Sequence, residues 1–261
     1  MKKEEEFYII DTHTHYDDEM FDNDRDELLK SFNDYNIKRV VNIGASMDSS
    51  LKSLNLAKRY SFVYTAVGIH PSSAHEINDE NYARLEEMLR NEKTVAIGEI
   101  GLDYYYEEPD RHLQKECFIR QLELAKKSQM PVVIHSRDAA KDTFDILKEF
   151  KGVKGVIHCY SYSKEMAREF IKLGYMIGVG GVSTFKNAKQ LKEVIKDISF
   201  EDFVIETDCP YLAPVPNRGK RNSSLNLVYI IDKISEIKAV PADFVIQKSF
   251  ENAKRLYPKM K

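Results

Sequence analysis

Six side chains that commonly bind metal ions each follow a short apolar run in this sequence. His135, for example, closes the run Val132-Val-Ile, and His158 closes Val156-Ile. A charged or imidazole group at such a position is costly to desolvate unless it is paired or bound to a cation. Several of them at the ends of five such runs favour a metal centre over independent structural contacts. The six residues are His13, His15, Glu99, His135, His158 and Asp208.

The types of donor indicate which cations this centre would hold. Four neutral imidazoles and two carboxylates suit Zn²⁺, Fe²⁺ or Mn²⁺, and substrate phosphates would add oxygen ligands for Mg²⁺. His13 and His15 are two residues apart, so a β-strand places both side chains on one face. Taken alone, this pair also fits a hydrogen-bonded strand end. Together with the other four residues it predicts a shared metal site.

The elements that must position these residues alternate regularly along the chain. Short β-branched runs predict strands at residues 7–15, 39–44, 62–70, 94–103, 131–137, 154–160, 175–180 and 203–208. Charged amphipathic stretches predict helices at residues 25–36, 81–91, 113–129, 138–150, 164–173, 187–196, 225–237 and 241–256.

Strand followed by helix, repeated without a linker rich in Pro, Gly or Ser, predicts a (β/α)8 TIM barrel. We expect residues 1–261 to form this barrel as a single domain, with the last two helices covering the eighth strand and one end of the barrel. The carboxyl ends of barrel strands converge at one mouth, where such enzymes carry their active sites. The six candidate ligands are therefore expected to meet there.

Composition excludes several classes of protein. The 39 basic and 42 acidic residues give a net charge of −3, so no global field attracts nucleic acid or an anionic membrane. Three cysteines without CxxC spacing argue against a disulfide framework and fit a reducing compartment. Cys159 is expected to pack in the barrel wall, because it follows His158 on a strand and so points to the opposite face. The sequence contains no hydrophobic segment suited to a signal peptide or membrane span, so we expect a cytoplasmic protein without a membrane or obligate protein partner.

Basic residues near the predicted mouth suggest how an anionic substrate would be held. Arg137 trails His135 by two residues on the same face, and Arg218, Lys220 and Arg221 follow the eighth strand, where barrels often bind phosphate. The alternatives are an ion pair at the rim for Arg137 and a solvated basic turn for the cluster.

His70 and a tyrosine run are further candidates for substrate contacts. His70 ends the third apolar run and is expected to contact the substrate or transition state, although it also fits a hydrogen-bonded strand end. The run Tyr104-Tyr-Tyr106 would offer stacking surfaces to unpaired bases, or would simply pack its own loop.

The motifs that contain these residues resemble those of the TatD family of metal-dependent deoxyribonucleases, which have amidohydrolase-type barrels. The resemblance spans nearly the whole chain. It rests on Asp11-Thr-His-Thr-His15, Gly68-Ile-His-Pro71, Gly98-Glu-Ile-Gly-Leu-Asp-Tyr104, Ile134-His-Ser-Arg137, Ile157-His-Cys159, Thr184-Phe-Lys-Asn187, Glu206-Thr-Asp-Cys-Pro-Tyr-Leu212, Arg218-Gly-Lys-Arg-Asn222 and Asn252-Ala-Lys-Arg-Leu256.

The resemblance implies a centre of two divalent metal ions, which would be Zn, Mn, Mg or Fe. One ion would be held by His13, His15 and Asp208 and the other by His135 and His158, with Glu99 bridging the two. Such a pair of cations would activate a water for attack and stabilise negative charge growing on a phosphoryl or acyl oxygen. Asp208 would accept the proton of the nucleophile, so Asp208 and Glu99 are the expected catalytic residues.

The resemblance also implies DNA as the substrate, cleaved by a 3'-to-5' exonuclease. The tyrosine run indicates that this DNA is single-stranded or is held at a strand end. One alternative is hydrolysis of an amide, lactone or ester on the same scaffold, as in a D-aminoacyl-tRNA deacylase. Another is a non-catalytic nucleic-acid-binding barrel with structural histidines. The sequence departs from the family pattern at Tyr162, where glycine is usual, and at Ser223-Ser224, where Glu-Pro is usual. Both departures are expected on loops at the mouth, where they would alter substrate preference.

Overall fold

Eight parallel strands form one sheet in the computed structural model, which describes residues 7–261. Neighbouring strands are hydrogen-bonded in chain order from β1 to β8. Their bounds are β1 Ile9–Thr14, β2 Ile37–Ile43, β3 Val63–Val67, β4 Thr94–Asp103, β5 Val132–Arg137, β6 Gly155–Ile157, β7 Tyr175–Val179 and β8 Phe203–Ile205.

Helices separate the strands and follow the last one, which confirms the predicted (β/α)8 barrel. Polar side chains begin several of them: Ser46, Asn78 and Ser163 each accept a hydrogen bond from a backbone N–H in the first turn. None of the helices within residues 7–261 is long and apolar enough to cross a membrane. Their bounds are α1 Arg25–Ser31, α2 Met47–Arg59, α3 Asp79–Met88, α4 Arg111–Ser128, α5 Ala140–Glu149, α6 Lys164–Lys172, α7 Lys189–Asp197, α8 Leu227–Lys238 and α9 Ala242–Leu256.

Several strands end before the point that the sequence predicts. β6 stops at Ile157 and β8 at Ile205, so His158 and Asp208 lie on the loops that follow them. Cys159 and Asp208 have φ angles of 44° and 57°, a left-handed conformation that does not continue a strand. The expectation that Cys159 packs in the barrel wall was therefore wrong. Its sulfur lies within 4.8 Å of the ligand atoms of His158 and Asp208.

Two helical regions also differ from the sequence analysis. The helix predicted at residues 25–36 ends at Ser31 and continues as a 3-10 turn over Phe32–Tyr35. The sequence pattern predicts no helix where α2 lies. The serines of its first half favour caps and turns, and they obscure the apolar spacing of a helix that buries Met47, Leu54 and Ala57.

The interior of the barrel is an apolar cluster closed at its amino-terminal end by the last helix. Alternate strand residues such as Ile10, Val41 and Val133 belong to this cluster, together with Phe250 and Tyr257 from α9 and the residue after it. The Tyr257 hydroxyl donates to the Thr12 carbonyl at 3.2 Å. With that end blocked, the opposite end carries the accessible cavity.

Side chains, more than a strand ladder, close the barrel between β8 and β1. Among the described residues the isolated parallel bridge at this seam joins Thr14 of β1 to Cys209, which lies in the loop after β8. The buried Asp11 carboxylate accepts hydrogen bonds from the Thr207 backbone N–H at 3.0 Å, the Thr207 hydroxyl at 2.6 Å and the Ser224 hydroxyl at 2.6 Å. Burial raises the pKa of Asp11 to about 7, although these hydrogen bonds oppose the shift. Ser224 is therefore buried in the closure, where its hydroxyl donates to Asp11. The expectation that Ser224 lies on a loop at the mouth was wrong.

Replacing Asp11 with alanine is expected to lower the free energy of unfolding by about 3 kcal/mol or more. The change leaves the buried N–H and hydroxyl of Thr207 without their acceptor, at about 1–3 kcal/mol each, and leaves the Ser224 hydroxyl with Tyr16 alone. Urea denaturation measures the loss. The exposed Asp34→Ala is the control and is expected to stay within about 0.5 kcal/mol of the parent. A loss below about 1 kcal/mol for Asp11→Ala would contradict this description of the closure.

Candidate metal centre

The six predicted ligands converge at the carboxyl ends of the strands. His13 lies on β1, Glu99 on β4 and His135 on β5. His15 and His158 directly follow β1 and β6, and Asp208 lies three residues after the end of β8. A cavity of about 610 Å³ opens there, lined by five of the six, while His13 is fully buried beneath it. The lining ligands are His15, Glu99, His135, His158 and Asp208.

Glu99 lies at the middle of the cluster and divides its two oxygens between two pairs of histidines. Oε2 is 3.5 Å from His13 Nε2 and 3.8 Å from His15 Nε2. Oε1 is 2.7 Å from His135 Nδ1 and 3.8 Å from His158 Nε2. This is the arrangement that a carboxylate bridging two cations requires.

Asp208 completes the first of these groups. Its Oδ1 lies 3.4 Å from His15 Nε2 and 3.6 Å from His13 Nε2, and the two imidazole nitrogens are 3.1 Å apart. Ligand atoms that share one ion at about 2.1 Å lie about 3–4 Å from one another. The spacing of these atoms therefore fits a divalent cation.

The hydrogen bond of His15 leaves a lone pair available for a cation. Its Nδ1 lies 3.0 Å from the Ile43 carbonyl, which only accepts, so Nδ1 carries the proton and Nε2 faces Glu99 and Asp208. A backbone carbonyl behind the ring is typical of metal-ligating histidines. Burial lowers the pKa of His15, but Asp208 and Glu99 outweigh it and raise the pKa to about 9. The two carboxylates thus favour a positive charge at this position.

His13 and His158 are also candidate ligands, and they are buried more deeply than His15. Their rings stack with centroids 3.5 Å apart, and His13 Nδ1 has no hydrogen-bond partner within residues 7–261. Burial and the neighbouring His158 lower the pKa of His13, which keeps its ring neutral. Burial opposes the charge on Glu99, but His158, His13 and His135 hold its pKa well below the usual range. Imidazoles around ionised carboxylates form a donor set that fits divalent metal ions, which would replace the protons that the raised pKa values of His15 and His158 favour.

His70 lies in the same cavity but its hydrogen bonds differ. The Ser72 backbone N–H donates to His70 Nδ1 at 3.1 Å, so the neutral ring carries its proton on Nε2. Burial and the nearby His135 lower the pKa of His70 to about 4, so the ring is neutral at pH 7. Nε2 lies 3.9 Å from Glu99 Oε1. His70 is therefore a hydrogen-bond donor into the cavity, a role compatible with the predicted substrate contact.

Arg137 and two tyrosines form an exposed group on one rim of the cavity, which we call the Arg137 platform. The Arg137 guanidinium lies 3.7 Å from the centre of the Tyr105 ring and 5.7 Å from that of Tyr106. The two tyrosines are 58% and 59% exposed. Tyr104 turns away and donates a hydrogen bond to Asp142 at 2.7 Å, so only two of the three tyrosines are available for stacking.

The basic cluster predicted after the eighth strand does not line the cavity. Arg221 pairs with Asp24 at 2.6 Å, and the Arg218 guanidinium lies 4.4 Å from the centre of the Phe185 ring. Lys220 is exposed on the same loop. The structure does not bring these three residues to the metal ligands, so any role for them concerns more distant parts of a substrate.

Tyr162, the other departure from the family pattern, contacts the protein itself. Its hydroxyl lies 2.9 Å from the Ser136 hydroxyl and 3.3 Å from the Ala139 nitrogen. It does not line the cavity, so it supports the loop after β5 more directly than it would touch a substrate.

Two buried carboxylates beside the ligands were missed by sequence reasoning. Asp103 Oδ2 lies 3.1 Å from His135 Nε2, and Glu206 Oε1 lies 2.9 Å from His158 Nδ1. Asp103 and Glu206 both belong to motifs that carry a ligand, four residues after Glu99 and two before Asp208. An acidic residue at an even spacing from a ligand was the available signal, because even spacing on a strand keeps two side chains on one face.

Glu99→Ala is expected to abolish turnover and to reduce the bound metal while leaving the protein folded. Glu99 faces both pairs of histidines, so its removal would take a shared ligand from bound cations and would lose several kcal/mol of charge stabilisation, which corresponds to a factor of about 10³ or more in rate. Elemental analysis, circular dichroism and activity on the same sample test this. Glu108→Ala, an exposed residue of the cavity rim, is the matched control. A variant that keeps the parent rate with no bound metal would disprove the mechanism.

Comparison with known proteins agrees with this site. The family model described as TatD related DNase matches residues 10–258. The metal-dependent hydrolase YabD of Bacillus subtilis (strain 168) is 39% identical over 251 residues, covering 95% of this chain and 98% of the relative. The metal-dependent hydrolase YcfH of Escherichia coli (strain K12) is 31% identical over 255 residues, covering 96% of both chains.

Solved structures are similar over the same length. YjjV, a TatD homolog from Escherichia coli K12, has a TM-score of 0.91 at 30% identity, covering 96% of this chain and 98% of that one. A TatD family hydrolase from Entamoeba histolytica has the same fold, with a TM-score of 0.87 at 24% identity and coverages of 96% and 98%. The chain belongs to the TatD family and is a metal-dependent hydrolase.

Proposed function

We propose that the protein is a deoxyribonuclease that removes nucleotides from the end of single-stranded DNA with the help of two divalent metal ions. The observation that carries the proposal is the Arg137 platform beside the candidate ligands. A guanidinium binds a phosphate in a bidentate manner, and exposed tyrosine rings stack on unpaired bases. Together they provide for both parts of a nucleotide. The 3'-to-5' direction follows from the family resemblance.

Acidic side chains on the far side of the cavity favour a strand end over an internal site. Asp17, Asp18 and Glu19 follow β1, which lies across the barrel from β5 and Arg137. A polyanion that approached over Arg137 would be repelled if it continued toward these carboxylates. The cavity therefore suits a chain that enters from one side and stops at the metal ligands.

The residues of the cavity have distinct roles in this proposal. Bound divalent cations would supply activation of a water and neutralisation of charge on the phosphoryl group. Burial opposes the charge on Asp208, but His158 and His15 lower its pKa, so the carboxylate is ionised and can accept the proton of the nucleophile. His70 donates from Nε2 to an oxygen of the reacting phosphate, and Arg137 holds the neighbouring one.

A second candidate function is hydrolysis of an acyl bond, such as the ester of a D-aminoacyl-tRNA. The acidic group Asp17, Asp18 and Glu19 favours it, because these carboxylates would attract the ammonium group of an aminoacyl ester. It would use the same metal ligands but would need the Arg137 platform less.

Single-stranded DNA is expected to be degraded one nucleotide at a time, in a reaction that a chelator stops and added metal restores. An oligonucleotide labelled at its 5' end reports the direction, because shortening from the 3' end leaves a ladder of labelled products. The control is the same oligonucleotide with a blocked 3' end. Release of amino acid from aminoacyl esters by enzyme that leaves the oligonucleotide intact would replace the proposal with the acyl candidate.

Arg137→Ala is expected to lower kcat/KM on DNA by about 10-fold or more, because a charged hydrogen bond to phosphate contributes about 1.5–3 kcal/mol. The slope of log(kcat/KM) against log salt should also decrease by about one, since one fewer phosphate releases its counterions. Arg218→Ala and Lys220→Ala should have smaller effects, because neither lines the cavity. Lys148→Ala at the far end of α5 is the control. An unchanged rate and salt slope for Arg137→Ala would remove the main support for a DNA substrate.

A further inference from the structure

We propose that Asp103 and Glu206 are positioning residues that strengthen metal binding on the His135–His158 side of the centre. The inference rests on the proposed two-metal centre. Each carboxylate contacts a histidine at the ring nitrogen that does not face Glu99. Glu206 contacts Nδ1 of His158, and Asp103 contacts Nε2 of His135. Neither residue is one of the six candidate ligands.

Glu206 is held against His158 in space that a glycine leaves open. The residue is 1% exposed, and its Oε1 lies 2.9 Å from His158 Nδ1 and accepts the Cys159 backbone N–H at 2.6 Å. A Cβ on Gly178 of β7 would lie 2.6 Å from this oxygen. The contact with His158 Nδ1 is a close ion pair outside hydrogen-bond geometry, and the second oxygen, Oε2, has no hydrogen-bond partner within residues 7–261. Burying such a carboxylate costs free energy, which His158 and a cation on its opposite nitrogen would offset.

Asp103 holds His135 in the same way from the end of β4. Its Oδ2 lies 3.1 Å from His135 Nε2, and its Oδ1 accepts the Tyr105 backbone N–H at 3.0 Å. The buried Gln114 fixes the backbone of Asp103, with hydrogen bonds of 2.9 Å to both its N–H and its carbonyl. His135 Nδ1 is thereby directed at Glu99.

The other pair of histidines lacks this support. His15 donates from Nδ1 to the neutral Ile43 carbonyl. Glu206 lies within 4.8 Å of a His13 ring nitrogen, but among the described residues it forms its ion pair with His158, at 2.9 Å. That side has Asp208 as an additional charged ligand, with Oδ1 3.6 Å from His13 Nε2 and 3.4 Å from His15 Nε2. On the other side Asp208 Oδ1 comes no closer than 3.8 Å, to His158 Nε2. Carboxylates behind the rings raise the basicity of the ligand nitrogens and compensate for this difference.

Removing the charge of Glu206 or Asp103 while keeping the shape of the side chain should therefore weaken the binding of one metal ion and leave the binding of the other unchanged. Metal-free protein is titrated with Co²⁺, and binding is followed by visible absorption and by equilibrium dialysis. For Glu206→Gln and Asp103→Asn we expect one dissociation constant to rise about 10–100-fold, with a changed absorption band for that ion, and the other constant to stay at its parent value. Glu108→Gln is the matched control, because it neutralises an exposed carboxylate on the rim of the same cavity.

Gly178→Ala provides an independent variant that keeps the Glu206 carboxylate but displaces it. It should reproduce the selective loss seen in Glu206→Gln, and circular dichroism shows which variants are folded. If either Glu206 variant fails to fold, Asp103→Asn decides the proposal by the same measurement. Parent-like binding of both ions, or equal weakening of both, would overturn the inference. Uptake of a single ion by the unmodified protein would instead overturn the two-metal centre on which it rests.

Discussion

The structure of this site depends on one buried carboxylate placed between two pairs of imidazoles. Glu99 is 4% exposed, and its two oxygens face different histidines. An ionised carboxylate at such depth is stable only when positive charge surrounds it. The neighbouring carboxylates raise the pKa values of His15 and His158 to about 9 and 10, so positive charge is favoured at these two imidazoles as well. Divalent cations would supply this positive charge, and the six side chains would supply their ligand atoms.

The barrel brings the ligands around Glu99 together in two ways. It gathers side chains that are far apart in sequence at the carboxyl ends of its strands, and α9 closes the opposite end. Polar contacts of Asp11 then fix β1 against the loop after β8, the two segments that carry His13 and Asp208. Stability of the barrel closure and geometry of the metal ligands are therefore linked through neighbouring residues.

The strand–helix alternation, the barrel and the meeting of the six ligands followed from sequence pattern, because apolar periodicity and strand-end polarity are local signals. What the pattern did not reveal depends on backbone conformation and on contacts distant in sequence. The left-handed residues Cys159 and Asp208 ended strands that looked longer. The role of Glu206 depends on space beside Gly178, which belongs to another strand. The distance of Arg221 from the cavity reflects its pairing with Asp24, nearly two hundred residues earlier in the chain.

The most direct test of the two-metal account is anomalous X-ray diffraction from crystals of the protein loaded with Mn²⁺ or Zn²⁺, recorded on both sides of the absorption edge of the metal. The account predicts two anomalous peaks on either side of the Glu99 carboxylate, one beside His13, His15 and Asp208 and the other beside His135 and His158. A map with no peak among these six residues, or with its peaks at other residues, would contradict it.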